Sequence, residues 1–215
     1  MRPRGPSRPS SSRWCRPRPE AALAALLVST ACATATLPRP GVAESAGAAV
    51  SWSGSVRVSV KGEDLRGRSR VLMAFRRPDA VRIEIPGPAG ARLVAVVRGG
   101  RLTAVLPAER VFLESEAGAT DLEALLGVAL TPSELMDLLV GVAPAGLRDH
   151  RVRWGDTLPR RVEAVLADGT RLVATVDDAE TGLVLADAVF QPPPHPGHRR
   201  VDAVEARRLL TGGQR

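Results

Sequence analysis

The feature that most restricts this chain is a change of period in its apolar residues. From Trp52 onward the spacing is two: Val56, Val58 and Val60 alternate with Ser55, Arg57, Ser59 and Lys61, the mark of a half-buried strand. A turn over Gly62–Gly67 leads to a strand at Ser69–Phe75, and the Arg76–Asp79 turn to one in which Val81, Ile83 and Ile85 oppose Arg82 and Glu84. Strands are predicted again over Ala91–Arg98, Arg101–Leu106 and Arg110–Leu113. Then the period lengthens. Leu122, Leu125 and Leu126 recur at helical spacing, and Thr131-Pro132-Ser133-Glu134 is a capping box with proline at the first helical position, opening a helix with Leu135, Leu138 and Leu139 on one stripe. Period two resumes at His150–Trp154, Arg161–Leu166, Leu172–Val176, Leu183–Phe190 and Val201–Ala206, with Asp168-Gly169 as a hairpin turn.

Six strands, two short helices and five strands predict a mainly β (α+β) fold, a curled antiparallel half barrel of about eleven strands with a two-helix lid inserted midway. An antiparallel sheet that wide curls, and leucine stripes inserted midway have only its concave face to cover. If the lid packs loosely, the space beneath is an apolar hollow able to take an acyl chain, each buried methylene contributing about 0.8 kcal/mol. Periodicity does not separate that hollow from a core filled with side chains. The residues expected to line it are Val58, Met73, Phe75, Ile83, Leu93 and Val97 from the sheet and Leu135, Leu138 and Leu139 from the lid.

Ahead of the strands stands an apolar run, Ala21–Ala31, closed by Cys32 and preceded by six arginines. Eleven residues of helix at about 1.5 Å each reach about 16 Å, half of a hydrocarbon core of about 30 Å. A basic region, a short apolar stretch and small residues before a cysteine instead make a lipoprotein signal peptide, and Val28-Ser29-Thr30-Ala31 resembles the bacterial lipobox. The expected organisation is a signal peptide over 1–31, an acylated tether over 32–50 beginning at lipidated Cys32, and a folded domain over 51–210. Ala33 stands where lipoproteins retained in the inner membrane resemble one another in having Asp, which points to the outer membrane. Pro38, Pro40 and Gly41 interrupt the tether, leaving room for a turn or two of helix near its end.

The formal charge of +7 invites a nucleic-acid reading. Six of the 30 basic and one of the 23 acidic residues precede Cys32, however, so the mature chain carries 24 against 22, or +2. Its arginines alternate with apolar residues rather than clustering, and three Phe, three Trp and no Tyr offer few stacking platforms. No nucleic-acid partner is expected. Cleavage also removes Cys15, so an oxidising compartment would be reached without an internal disulfide.

At Asp121–Pro144 the residues carry a family likeness. The run resembles the paired-helix segment of LolB-type outer-membrane lipoproteins, within the LolA/LolB-like superfamily of lipoprotein carriers and receptors. The strand and loop Arg82–Gly90 resemble that family's strand with its Pro-x-Gly loop, and the order of strands on both sides agrees over about Ser51 to Leu210. The chain resembles a divergent member. The likeness implies an open half barrel of eleven strands, a hydrophobic cavity for lipoprotein acyl chains, a soluble periplasmic LolA-like carrier as donor, and a membrane-facing loop at Pro88, Ala89 and Gly90. The family presents a leucine where this chain has Ala89, and a methyl gives little membrane grip.

Enzyme chemistry finds no footing. Gly-x-Ser-x-Gly is absent, and His195-x-x-His198 sits in a proline-rich loop with no third ligand close behind; His150, at a strand start, is expected at the surface. The chain is therefore expected to be a monomeric, lipid-anchored protein of the outer membrane's periplasmic face, a non-enzyme needing no cofactor or metal. It would bind acyl chains of lipoproteins or other lipid and take part in their transfer. The alternative from another class is a structural or assembly lipoprotein of the envelope, with a filled core and a surface for a protein partner.

Overall fold

The computed structural model describes residues 38–63 and 66–212; the expected signal peptide and Cys32 lie outside the described residues. After a short helix α1 (Val42–Gly47) come six strands: β1 (Ser51–Lys61), β2 (Arg66–Arg76), β3 (Ala80–Gly87), β4 (Gly90–Arg98), β5 (Arg101–Leu106) and β6 (Val111–Glu116). Helices α2 (Ala119–Leu126) and α3 (Pro132–Leu139) follow, then β7 (Asp149–Trp154), β8 (Pro159–Val165) and β9 (Arg171–Thr181). The chain ends with a 3-10 turn at Asp187–Phe190, the two-residue strand β10 (Arg199–Arg200) and helix α4 (Ala203–Gly212). All ten strands form one sheet in the order β10-β6-β5-β4-β3-β2-β1-β9-β8-β7, antiparallel except where β10 joins β6.

The predicted class holds: a mainly β, curled, unclosed sheet with its helical lid inserted after the sixth strand. Its curl has local causes. The β1–β9 pairing slips between Ser55 and Val56, so that Asp177 becomes an extra residue with its carboxylate 2.6 Å from the Arg57 guanidinium. A second slip makes Arg92 extra between β3 and β4, and a third falls between β7 and β8. Each bulge bends its strand and raises the local twist. Gly54, beside the first, lets the two backbones close up, since a Cβ there would stand 2.8 Å from the Ala179 Cβ. At the open edge, β7 sets Asp149, Arg151 and Arg153 outward in alternation, charges that discourage edge-to-edge pairing.

Two predicted strands are other things. Leu183–Phe190 does not pair; it crosses the outer face of the sheet, where Phe190 is buried against Ala74, Ala80, Val94 and Val96. Arg76 bonds Asp187 at 2.7 Å and the Leu185 carbonyl at 3.2 Å, holding the crossing down. Val201–Ala206 mostly belongs to α4, begun by Asp202, whose Oδ1 accepts from the Glu205 backbone N–H at 2.7 Å. Asp followed three residues later by Glu is a helix-start signal, and it outweighs the brief alternation of Val201, Ala203 and Glu205. With two predicted strands lost and the unpredicted β10 gained, the described residues hold ten strands rather than eleven. In the segment expected as tether, α1 packs on the domain, burying Ala46 and Ala49 in its main core.

That core fills the part of the concave face farthest from the β1–β2 turn. Trp52 and Phe75, opposite each other on β1 and β2, are fully buried with rings parallel and centroids 6.2 Å apart. Leu93, Ala95, Val97, Leu102, Ala104 and Leu106 continue the surface onto β4 and β5, where Leu122 and Leu125 of α2 and Ala206 of α4 close over it.

Candidate functional site: an apolar cavity under the lid

Between that core and a second cluster on β8 and β9 the concave face is not filled. A cavity of about 400 Å³ lies there, within the range of about 300–1,000 Å³ common for small-molecule sites. Its floor crosses six neighbouring strands, β8-β9-β1-β2-β3-β4. At about 4.8 Å per strand the five spacings make an arc of about 24 Å, against about 15 Å for one acyl layer of a bilayer.

The floor follows from strand alternation. Val56, Val58 and Val60 of β1, Val71 and Met73 of β2, Ile83 and Ile85 of β3, Val162 and Ala164 of β8, and Leu172 and Ala174 of β9 point inward at every second position. Val58, Ala174 and Val162 stand in register across β1, β9 and β8, a continuous row of the trough floor. The roof is Leu126, Val128, Leu135, Leu138 and Leu139. It begins at the expected capping box: Thr131 Oγ1 accepts from the Glu134 N–H at 3.2 Å, and the Glu134 carboxylate accepts from the Thr131 N–H at 2.7 Å. Arg77 pins α3 from the sheet through Asp137 at 2.6 Å, and its Nε also reaches the Ala49 carbonyl at 3.2 Å.

Six of the nine residues expected to line a hollow are brought together here: Val58, Met73, Ile83, Leu135, Leu138 and Leu139. Phe75, Leu93 and Val97 share their face but not the space. They are buried in the filled part of the trough, where the stack on Trp52 and the side chains of α2 and α4 leave no room. Seventeen other residues line the cavity, most of them on the same inward faces, and three of these come from places the strand pattern did not offer. Leu210 and Thr211 come from α4, which the Asp202 and Glu205 cap could have revealed. Arg92 is turned by its bulge, which a strict period of two cannot anticipate. Its guanidinium donates to the Leu210 carbonyl, tying the end of α4 to the rim.

The mouth lies where β1 and β2 meet, at the same end of the sheet as the β3–β4 turn with Pro88 and Ala89 exposed at its tip. Gly90 follows with φ 117°, a backbone region that glycine enters at little cost. Polar groups are confined to this rim: Arg66, Arg68, Ser69, Arg92 and Thr211. No His, Cys, Asp or Glu is among the described lining residues, so these walls hold neither a base to activate a nucleophile nor a metal ligand. Hydrocarbon is what such a lining can accept.

The histidines lie elsewhere. His150 is half-buried rather than at the surface, with Nε2 shielded and unpartnered among the described residues. Burial pushes its pKa below the ordinary imidazole value against the opposing pull of Asp149, which favours the neutral ring. His195 packs on Phe112 with centroids 4.4 Å apart, and His198 meets it edge-on at 6.3 Å. Among the described residues no three His, Cys, Asp or Glu gather as a metal site, and no helix is long and apolar enough to cross a membrane.

No family model and no curated protein matches the sequence. Among solved structures, the chain is similar to a LolA superfamily protein from Nitrosomonas europaea at 10% identity and TM-score 0.42, covering 73% of this chain and 99% of that one. An uncharacterised conserved protein from Thermus thermophilus matches at 11% identity and TM-score 0.42, over 72% of this chain and 91% of that one. A domain assigned to outer-membrane lipoprotein sorting, from Vibrio parahaemolyticus, matches at 7% identity and TM-score 0.38, over 69% and 93%.

Proposed function

We propose that this chain is an outer-membrane lipoprotein, held by acylated Cys32 on the periplasmic face, whose half barrel takes up acyl chains and passes on lipoproteins or other lipid. The observation that carries the reading is the 400 Å³ apolar cavity with polar groups only at its mouth, the distribution an amphiphile needs. About ten buried methylenes supply about 8 kcal/mol before ordering costs, the scale of micromolar binding. No chemistry is required of the walls; transfer needs only a donor that holds the chain less tightly and an acceptor that holds it more tightly. The resemblance in Asp121–Pro144 makes a soluble LolA-like carrier the natural donor, and the protein acts as a monomer.

Native mass spectrometry of the Cys32→Ser protein, purified without detergent, is expected to show co-purified lipid, and the lipid-stripped protein to bind a fluorescent fatty acid saturably. Repeated absence of both would reject the carrier reading and leave an envelope scaffold that binds a protein partner. The anchor has its own test. Cys32→Ser is expected to abolish metabolic labelling by a fatty acid; label retained on the variant would place the acyl group elsewhere and end the anchor assignment.

A further inference from the structure

At the mouth the terminal residues of three adjacent strands are cations. Lys61 ends β1 and stands opposite Arg66, the first residue of β2, and Arg171, the first residue of β9. Their neighbours Val60, Gly67 and Leu172 belong to the cavity lining, and Arg66 itself borders the mouth; alternation turns Lys61 and Arg171 to the outer face, one strand spacing apart. Directly opposed like charges destabilise a sheet. Elsewhere opposed arginines are relieved by acids: Arg57 across from Arg70 bonds Asp177, Arg161 across from Arg153 bonds Glu163, and Arg98 across from Arg101 bonds Asp187. The row of Arg66, Lys61 and Arg171 has no ion-pair partner among the described residues. Arg68 extends it on β2, also unpaired there. Of the carboxylates in the turns at this rim, Glu63 is exposed, Asp64 lies outside the described residues, and Asp168 is engaged by Thr170, bonded at 2.8 Å through both its N–H and its hydroxyl.

We infer that this strand-end row is a docking surface for an anionic bilayer, which sets the cavity mouth against the lipid headgroups. Long cationic side chains at strand ends reach past the rim, and each Lys or Arg near an anionic membrane surface strengthens attachment about fivefold. A tether holds the domain near a membrane without orienting it; charge grouped at one end supplies the orientation. The row also provides attachment at the end where the β3–β4 tip offers only the methyl of Ala89. The inference goes beyond acyl-chain binding and is tested separately from it.

The test is co-sedimentation of the full chain carrying Cys32→Ser with vesicles of phosphatidylcholine alone or mixed with phosphatidylglycerol. The basic leader is common to every variant and cancels from the comparison. Adding Lys61→Gln, Arg66→Gln and Arg171→Gln is expected to weaken binding to the anionic vesicles about a hundredfold, from about fivefold for each cation. Neutralising Arg101, Arg153 and Arg160, exposed at the opposite strand ends, is expected to leave it within twofold. Removing three opposed charges should not lower the melting temperature, and the charge-preserving pair Arg66→Lys and Arg171→Lys should retain binding. Equal losses from the two sets of neutralised residues would overturn the inference, as would equal binding to neutral and anionic vesicles. No vesicle binding by the unsubstituted row would also overturn it, leaving the cations to an acidic protein partner. Fatty-acid binding is measured on the Lys61→Gln and Arg171→Gln pair, which leaves the cavity lining intact, and is expected to be unchanged.

Discussion

Replacing Ala174 with tryptophan is expected to weaken fatty-acid binding about a hundredfold while leaving the melting temperature unchanged or raised. Ala174 stands on the trough floor, in register with Val58 on one side and Val162 on the other, and lines the cavity. An indole directed there would occupy the space of about four methylenes of a bound chain, and at about 0.8 kcal/mol each the loss is about 3 kcal/mol. In a packed core the same change would force neighbours off their rotamers at a cost of about 1–3 kcal/mol. Here the ring enters space that is already empty and gains contacts with the lid leucines. Displacement of a fluorescent fatty acid reads the affinity, and a thermal melt reads the fold. Undiminished affinity in a folded variant would mean that the chain binds outside the trough. A large fall in melting temperature would mean that the trough is filled in solution.

Much of this site is legible before any coordinates, because a strand's inward face is set by parity. Once Val56, Val58 and Val60 form one side of β1, pairing sets Val71, opposite Val56, on the same face, and Met73 follows two residues on. The capping box at Thr131 and Glu134 likewise locates the lid helix by local hydrogen bonding, and α3 begins there. What parity cannot tell is how far along each strand the lid reaches. Phe75 and Val58 are equally inward, yet one lies in the filled end and the other in the hollow. That difference arises from where α2 and α4 come to rest, a tertiary matter. The short alternation at Val201–Ala206 misleads for a related reason: over six residues a period of two is weak evidence, and the cap at Asp202 decides. At Leu183–Phe190 the apolar side chains seek the outer face of the sheet, a surface that a two-layer picture of sheet and lid leaves bare.

The contrast between the filled and hollow halves predicts unequal costs for two chemically identical truncations. Leu93→Ala, at a position with no exposure inside the main core, is expected to destabilise the fold by about 3–5 kcal/mol, because the transfer loss is joined by a cavity that rigid neighbours cannot collapse. Leu135→Ala removes the same atoms from a half-buried side chain that already borders empty space. Fewer contacts are lost and little new void is created, so about 1–2 kcal/mol is expected, below the usual range for a packed leucine. Urea unfolding of the lipid-stripped protein measures both. A ligand in the trough should then separate them a second time. Saturating fatty acid stabilises the unsubstituted protein by about 2.7 kcal/mol at a hundredfold excess over its Kd, and Leu93→Ala should keep nearly all of that increment because Leu93 does not touch the chain. Leu135→Ala should lose part of it, because the side chain removed is one the ligand packs against. Equal costs in the stripped protein, with equal increments on adding fatty acid, would mean that α3 seals a solid core and that the hollow is not where lipid is held.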